Sequence, residues 1–87
     1  MRYVYILRCA DGALYIGETD ELSLRIQRHN EGRGCVFTAT RLPVSLVYAE
    51  QFTTRDAAVK RERQLKRWTR AKKEALIAAD LTLLKRL

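Results

Sequence analysis

The feature that most constrains the fold is an Asp11-Gly12 turn between two short runs of alternating side chains. Tyr3 to Cys9 and Ala13 to Glu18 carry aromatic, β-branched and aliphatic residues at the period of two that a half-buried strand requires. An Asp-Gly pair between two such runs is a strong hairpin signal, because glycine adopts the positive φ angles of tight turns. The sequence therefore predicts a β-hairpin at the N-terminus.

The register of this hairpin decides whether Tyr5 and Tyr15 lie on the same face of the sheet, because side chains alternate along a strand. A two-residue turn places the two phenols on opposite faces. A three-residue loop, with Gly12 as a G1 bulge, pairs Tyr5 with Gly17 and brings both phenols to one face. In that register we expect Gly17 to leave space beside the Tyr5 phenol for a phosphate or a water. The residues alone leave both registers open, and also a simple packing role for the tyrosines.

Caps and breakers indicate the remaining elements. Asp20 is placed to cap a helix that runs through His29, and Gly32 to end it. The later pattern predicts a loop from Arg33 to Pro43, a strand from Val44 to Phe52, a helix from Arg55 to Trp68 capped by Thr53 or Thr54, a second helix capped by Thr69, and a helical C-terminus from Leu81 to Leu87.

The order ββαβαα predicts an α+β architecture, a small three-stranded antiparallel sheet flanked by helices. The length of 87 residues and the 47% apolar content are those of one compact domain over residues 1–87. No apolar run is long enough for a membrane span or a secretion signal, so we expect a soluble, cytoplasmic protein. Cys9 and Cys35 lack zinc-ligand spacing and His29 is the one histidine, which favours two buried, reduced thiols.

The positive charge is concentrated in one segment. The formal net charge is +7, and the stretch from Arg55 to Lys73 holds nine Lys and Arg against Asp56 and Glu62, so the rest of the chain sums to zero. A neutral body with one cationic segment indicates a polyanionic partner, because Lys and Arg that contact phosphates release condensed counterions. The alternative is a solvated helix face that is basic for solubility.

Glu62 is the unusual residue of this basic segment. Helical spacing places it between Val59 and Leu65, at the border of the apolar face, so we expect it to be partly buried. One carboxylate, waters and a substrate phosphate together form a magnesium-type site. A plain i,i+4 ion pair with Lys66 is an equally good interpretation from spacing alone.

In this order and spacing, Tyr5, Tyr15-Ile16-Gly17, Arg25, His29 and Glu62 resemble the GIY-YIG nuclease superfamily. The similarity is to its small stand-alone bacterial members, which are similar to the N-terminal domain of excinuclease C. It spans nearly the whole chain and includes two further stretches, Gly17-Glu18-Thr19 and Arg61-Glu62-Arg63-Gln64-Leu65-Lys66. The first motif departs from the family name, since Tyr3 and Val4 stand where Gly and Ile are usual.

The resemblance implies hydrolysis of phosphodiester bonds with one divalent cation, Mg²⁺ or Mn²⁺, held by Glu62. It also implies that Tyr5 and Tyr15 help to activate the attacking water, that Arg25 stabilises charge on the phosphate, and that His29 assists proton transfer. Since a phenol has a pKa near 10, we expect neighbouring cations to favour the phenolate.

The first hypothesis is therefore a metal-dependent endonuclease that acts on DNA rather than RNA and reads structure rather than sequence. The second is a binding module that keeps the nuclease scaffold but does not cut, as part of a larger complex. A third is a protein-interaction domain with an acidic partner. In the first two, the flanking phosphate backbone is held by Lys66, Arg67, Arg70, Lys72 and Lys73.

Overall fold

The computed structural model describes all residues from Met1 to Leu87, and a three-stranded antiparallel sheet forms its centre. Strand β1 spans Arg2–Arg8, β2 spans Leu14–Thr19 and β3 spans Ser45–Phe52. The strand order is β2-β1-β3, so β1 is central and β2 and β3 are the two edges. The α+β fold class and the three-stranded antiparallel sheet predicted from the sequence are confirmed.

Five helices surround the sheet, and one of them was not predicted. The additional helix is a single turn inside the segment that the sequence indicated as a loop, and four residues are too few to show a helical period. No helix is long and apolar enough to cross a membrane. The helices are α1 (Leu22–Asn30), α2 (Val36–Ala39), α3 (Arg55–Lys66), α4 (Arg70–Ile77) and α5 (Leu81–Arg86).

The hairpin between β1 and β2 has the three-residue loop. Tyr5 pairs with Gly17, and the Gly12 amide donates to the Cys9 carbonyl at 2.9 Å. Gly12 has a φ angle of 87°, the left-handed conformation of a G1 bulge. This register places Tyr5 and Tyr15 on the same face of the sheet, as the second of the two predicted registers requires.

The two faces of the sheet carry separate cores. One face packs against α3 through a cluster made of Val4, Ile6, Ile16, Ala58 and Leu65. The opposite face holds Tyr5, Leu7, Cys9 and Val44, with Leu22 and Ile26 of α1 packed against them. Since β2 is an edge strand, nothing beyond it separates these two faces.

Three of the four predicted caps are correct, and the one at the start of α1 is wrong. The hydroxyls of Thr54 and Thr69 accept amide hydrogen bonds at the starts of α3 and α4, and Gly32 lies beyond the end of α1 with a φ angle of 79°. Asp20 does not cap α1, because its carboxylate instead pairs with Arg2 at 3.5 Å. Helix α1 therefore begins without a side-chain cap.

Candidate active site

The phenol of Tyr5 is the centre of the candidate site. Its side chain comes from the central strand and is fully buried. The Tyr5 hydroxyl lies 3.1 Å from Nε2 of His29 and accepts a hydrogen bond from Nε of Arg25 at 3.3 Å. Arg25 and His29 are four residues apart on α1, so the same face of this helix presents both groups to one hydroxyl. The structure thus brings together three of the predicted site residues.

A buried threonine holds the other side of the imidazole. Nδ1 of His29 lies 2.8 Å from the hydroxyl of Thr38, and both residues are completely buried. Thr38 also donates to the carbonyl of Cys35 at 3.4 Å. Thr38 lies on the one-turn helix α2 and was not identified from the sequence, because a threonine in an expected loop gave no signal. Cys35 itself is half-buried rather than buried, and its thiol is free.

Two glycines allow these rings to pack closely. A Cβ at Gly17 would overlap the Tyr5 hydroxyl, and a Cβ at Gly34 would overlap Nδ1 of His29. The prediction of free space beside Gly17 is therefore wrong, because the Tyr5 phenol fills that space. Both positions require glycine because the backbone of Gly17 lies against the Tyr5 phenol and the backbone of Gly34 against the His29 ring; neither glycine opens a pocket.

Tyr15 completes an aromatic cluster on the same face. Its ring centroid lies 6.3 Å from that of Tyr5, 5.0 Å from that of His29 and 6.1 Å from that of Phe37. The rings are tilted relative to each other, as aromatic pairs prefer. Tyr15 therefore lies between the buried Tyr5–His29 pair and the half-exposed Phe37.

Burial keeps these groups neutral at pH 7. It raises the pKa of Tyr5 above its usual value, although Arg25 acts in the opposite direction, and it raises the pKa of Tyr15 to about 12. Burial, and then the positive charge of Arg25, lowers the pKa of His29. The expectation that neighbouring cations favour the phenolate is wrong, because desolvation outweighs the single guanidinium beside Tyr5.

Glu62 comes from the opposite side of the sheet. It lies on α3 with 20% of its side chain exposed, and its ion pair is a long one of 3.7 Å to Lys66. The predicted partial burial and the alternative i,i+4 pair are thus both confirmed. By contrast, the half-buried Glu18 and Glu74 each accept a guanidinium hydrogen bond at 2.6 Å. Glu62 is therefore a half-buried carboxylate without a close hydrogen-bond donor.

The Glu62 carboxylate also acts electrostatically on the Tyr5 phenol. After burial and the contributions of Arg25 and Cys35, its negative charge makes a smaller contribution that raises the pKa of Tyr5. The two groups belong to elements on opposite faces of the sheet, and β2 is the edge strand on one side of the central strand. No group of three or more His, Cys, Asp and Glu side chains is placed to enclose a metal ion.

A comparison with known protein families agrees with this arrangement. A family model described as the GIY-YIG catalytic domain matches residues 1–75. The chain belongs to the GIY-YIG family.

Several GIY-YIG relatives are similar over most of their length. A UPF0213 protein of Staphylococcus aureus strain Mu3 is 45% identical over 75 residues, which cover 86% of this chain and 92% of that protein. The solution NMR structure of a UPF0213 protein from Bacillus halodurans has a TM-score of 0.60 and 39% identity, covering 91% of this chain and 85% of that one. A second NMR structure, of a protein from E. faecalis, has a TM-score of 0.61 and 39% identity over 90% and 83% of the two chains.

Part of the basic segment of this GIY-YIG chain is engaged within the molecule. Arg70 donates to Glu74 at 3.1 Å and to the carbonyl of Gly12 at 2.6 Å. The ammonium group of Lys72 lies 4.3 Å from the ring centroid of Trp68, a cation–π contact. These two cations stabilise the fold. Because their charged groups already have partners within the protein, they are less available to bind a phosphate backbone.

Other cations of the same segment make no ion pair. Arg67 and Lys73 are among them, and both were predicted to contact nucleic acid. Arg67 also joins Arg55, Lys60 and Arg63 around an open depression on the outer side of α3. The sequence pattern marked the whole segment as basic but did not separate this exposed row from the cations that stabilise the fold.

Proposed function

We propose that this protein is a divalent-metal-dependent endonuclease that hydrolyses phosphodiester bonds in DNA. The observation that carries the proposal is the Tyr5 phenol held between His29 and Arg25, together with the weakly paired Glu62 carboxylate, whose charge acts on that phenol. Metal-dependent phosphodiester hydrolysis uses a proton acceptor, a positive charge beside the phosphate and a carboxylate that can bind the metal ion.

The residues present fit a magnesium or manganese ion. Mg²⁺ keeps several waters and binds proteins through one or two carboxylates together with substrate phosphates, so it needs no cage of protein ligands. Glu62 offers such a carboxylate, because Lys66 is its one ion-pair partner and lies 3.7 Å away. When bound, the ion would stabilise negative charge on the phosphate oxygens.

The hydrogen bonds around His29 define a path for one proton. We assign the Thr38 hydroxyl as the donor to the Cys35 carbonyl, so that its oxygen accepts from Nδ1–H of His29. Nε2 of the neutral imidazole then carries a lone pair and accepts the hydroxyl proton of Tyr5. Once substrate binding exposes the Tyr5 oxygen, which is buried in the free protein, a water attacks the phosphorus and the bond to the leaving oxygen breaks. The water proton passes to the Tyr5 oxygen, the Tyr5 proton passes to Nε2 of His29, and the leaving oxygen takes a proton from solvent.

Arg25 supplies a fixed charge beside this relay. Its Nε–H is donated to Tyr5, and a guanidinium group carries five N–H donors in all. The remaining donors would bind phosphate oxygens, where charge develops in the transition state. Because Tyr5 and Arg25 are hydrogen-bonded, the positive charge and the proton acceptor stay in fixed relative positions.

The exposed cations of α3 would hold the DNA backbone next to the site. Arg55, Arg63 and Arg67 make no ion pair, and phosphate contacts of this kind position a duplex or strand without reading its sequence. We therefore propose that structure rather than sequence directs the cleavage.

A cleavage assay tests the proposal. Labelled duplex, branched and single-stranded oligonucleotides of DNA and RNA are incubated with Mg²⁺ or Mn²⁺, with and without chelator. We expect metal-dependent cleavage of DNA that falls by about a hundredfold or more in Glu62→Gln, because the charge of the metal ligand is lost.

Glu31→Gln is the matched control, since it makes the same chemical change at an exposed carboxylate that forms no ion pair. It should leave the rate unchanged. Cleavage that persists in Glu62→Gln would overturn the assignment. Binding without cleavage of any substrate would favour the non-catalytic module instead.

A further inference from the structure

A cleft of about 240 Å³ crosses the outer edge of β2 next to the candidate site. Two aliphatic side chains, two aromatic rings and two lysine ammonium groups line it, and these are called its floor, its aromatic wall and its rim. The residues that line it are Leu14, Tyr15, Ile16, Phe37, Lys66 and Lys73.

The aromatic wall is held in place before anything binds. One face of the Phe37 ring is covered by the guanidinium of Arg41, 4.0 Å from the ring centroid. Arg41 is anchored in turn by the Asp11 carboxylate at 3.1 Å and by the Phe37 carbonyl at 2.8 Å. Even so, 39% of Phe37 is exposed, so part of its ring can contact a ligand.

Two residues join this cleft to the reacting centre. Tyr15 contacts His29 on one side and Phe37 on the other. Lys66 pairs with Glu62 and also forms part of the rim of the cleft. A group that occupies the cleft is therefore an immediate neighbour of any phosphate bound at Tyr5 and Glu62.

We propose that this Phe37 cleft binds the base of an unpaired nucleotide adjoining the reacting phosphate. This inference rests on the proposed function for the position of that phosphate. A nucleobase is planar and apolar on its faces, so it suits an aromatic wall over an aliphatic floor, while its flanking phosphates suit the two lysines. A base inside a duplex is stacked and paired, so it cannot enter an aromatic cleft without leaving the helix.

The test measures binding without cleavage, in the presence of chelator. Short DNA single strands carry the fluorescent base 2-aminopurine at successive positions, and the position with the largest change in fluorescence on binding marks the base in the cleft. A second strand has an abasic site at that position. We expect Phe37→Ala to weaken binding of the intact strand by about tenfold, within the range known for base–aromatic contacts.

The decisive comparison uses both strands. If the base occupies the cleft, Phe37→Ala has no further effect on the abasic strand, because the contact is already absent there. Val36→Ala is the matched control, since Val36 is the adjacent residue, is 85% exposed and does not line the cleft. Phe37→Tyr keeps the ring and should bind like the unchanged protein, and Phe37→Leu keeps apolar volume without the flat ring and should bind like Phe37→Ala.

Equal losses on the intact and abasic strands would overturn the inference, as would an absence of any responsive 2-aminopurine position. It would also be overturned if Phe37→Ala weakened poly-glutamate binding as much as DNA binding, which would indicate a site for acidic peptides. The two proposals fail separately. If binding depends on the base but no substrate is cleaved, the cleft assignment stands and the nuclease proposal fails. If cleavage depends on Glu62 but is unaffected by Phe37→Ala, the nuclease proposal stands and the cleft assignment fails.

Discussion

In the proposed relay, one buried hydroxyl decides which nitrogen of His29 carries the proton. Thr38 is hydrogen-bonded to Nδ1, and Tyr5 to Nε2. Since the imidazole is buried and neutral at pH 7, its single N–H goes to whichever side offers the acceptor. The relay requires that N–H on Nδ1, so that Nε2 can receive the proton of Tyr5.

Replacing this hydroxyl by a methyl group tests the assignment. In Thr38→Val the acceptor for Nδ1–H is lost, so we expect the imidazole to change to the Nε2–H tautomer and donate to Tyr5. The ¹⁵N chemical shifts of His29 report the tautomer directly. We expect the cleavage rate to fall by about a hundredfold, since Nε2 can no longer accept a proton.

Thr38→Ser is the conservative control, because it keeps the hydroxyl and should keep both the Nδ1–H tautomer and the rate. An Nε2–H tautomer in the unchanged protein would refute the relay. A fall in the rate of Thr38→Val with no change of tautomer would assign Thr38 a packing role instead.

At the scale of the elements, an ion-pair cluster joins α4 to the hairpin. The carboxylate of Glu74 accepts two hydrogen bonds from Arg8 of β1, at 2.6 and 2.9 Å, and one from Arg70 at 3.1 Å. Arg70 continues to the Gly12 carbonyl in the turn. The hydrogen bonds from Arg8, and then those from Arg70, lower the pKa of Glu74 from 4.5 to about 2.

This cluster predicts an acid-sensitive contribution to stability. The pKa of Glu74 is lower in the folded chain, so the unfolded chain takes up the proton first as the pH falls. The contribution is complete above about pH 4.5 and is lost as the pH falls toward 2. We expect Glu74→Gln to lower the free energy of unfolding at pH 7 by about 1 kcal/mol, as for a half-exposed pair, and by much less near pH 2.

Urea unfolding at the two pH values measures this difference. Glu31→Gln is the control, because Glu31 is exposed and forms no ion pair. A difference between Glu74→Gln and the unchanged protein that is the same at pH 7 and at pH 2 would contradict the ion-pair account.

The elements also show what could be predicted from the sequence. The strands, the long helices and most caps followed from local patterns, since Asp11-Gly12, Thr54 and Thr69 act on their immediate neighbours. Asp20 failed as a cap because a distant residue, Arg2, takes its carboxylate. Pairing between residues far apart in the chain cannot be predicted from a short stretch of sequence.

The residues of the candidate site also fall into those that could be predicted from the sequence and those that could not. Tyr5, Arg25 and His29 were predicted to lie together, and the structure places them in contact. Thr38 and Gly34 were missed, because their roles depend on where the one-turn helix α2 and the loop before it fold back onto the imidazole. The charge state of the phenols was misjudged for a related reason, since desolvation depends on the packed interior.

At the scale of the whole molecule, the proposed site would combine groups from both faces of the sheet. The face covered by α1 and α2 provides Tyr5 and His29, and the face covered by α3 provides Glu62 and Lys66. Neither half has the complete set of groups. We therefore propose that one divalent ion binds at Glu62 and bridges it to a phosphate held by the Tyr5 cluster.

Anomalous diffraction from crystals soaked with Mn²⁺ and a nucleoside monophosphate tests that claim most directly. We predict one manganese peak, bound to a carboxylate oxygen of Glu62 with the phosphate beside Tyr5 and Arg25, and no such peak in crystals of Glu62→Gln. A peak at Glu18 or Glu74 instead, a peak that persists in Glu62→Gln, or no peak in the unchanged protein would contradict the account.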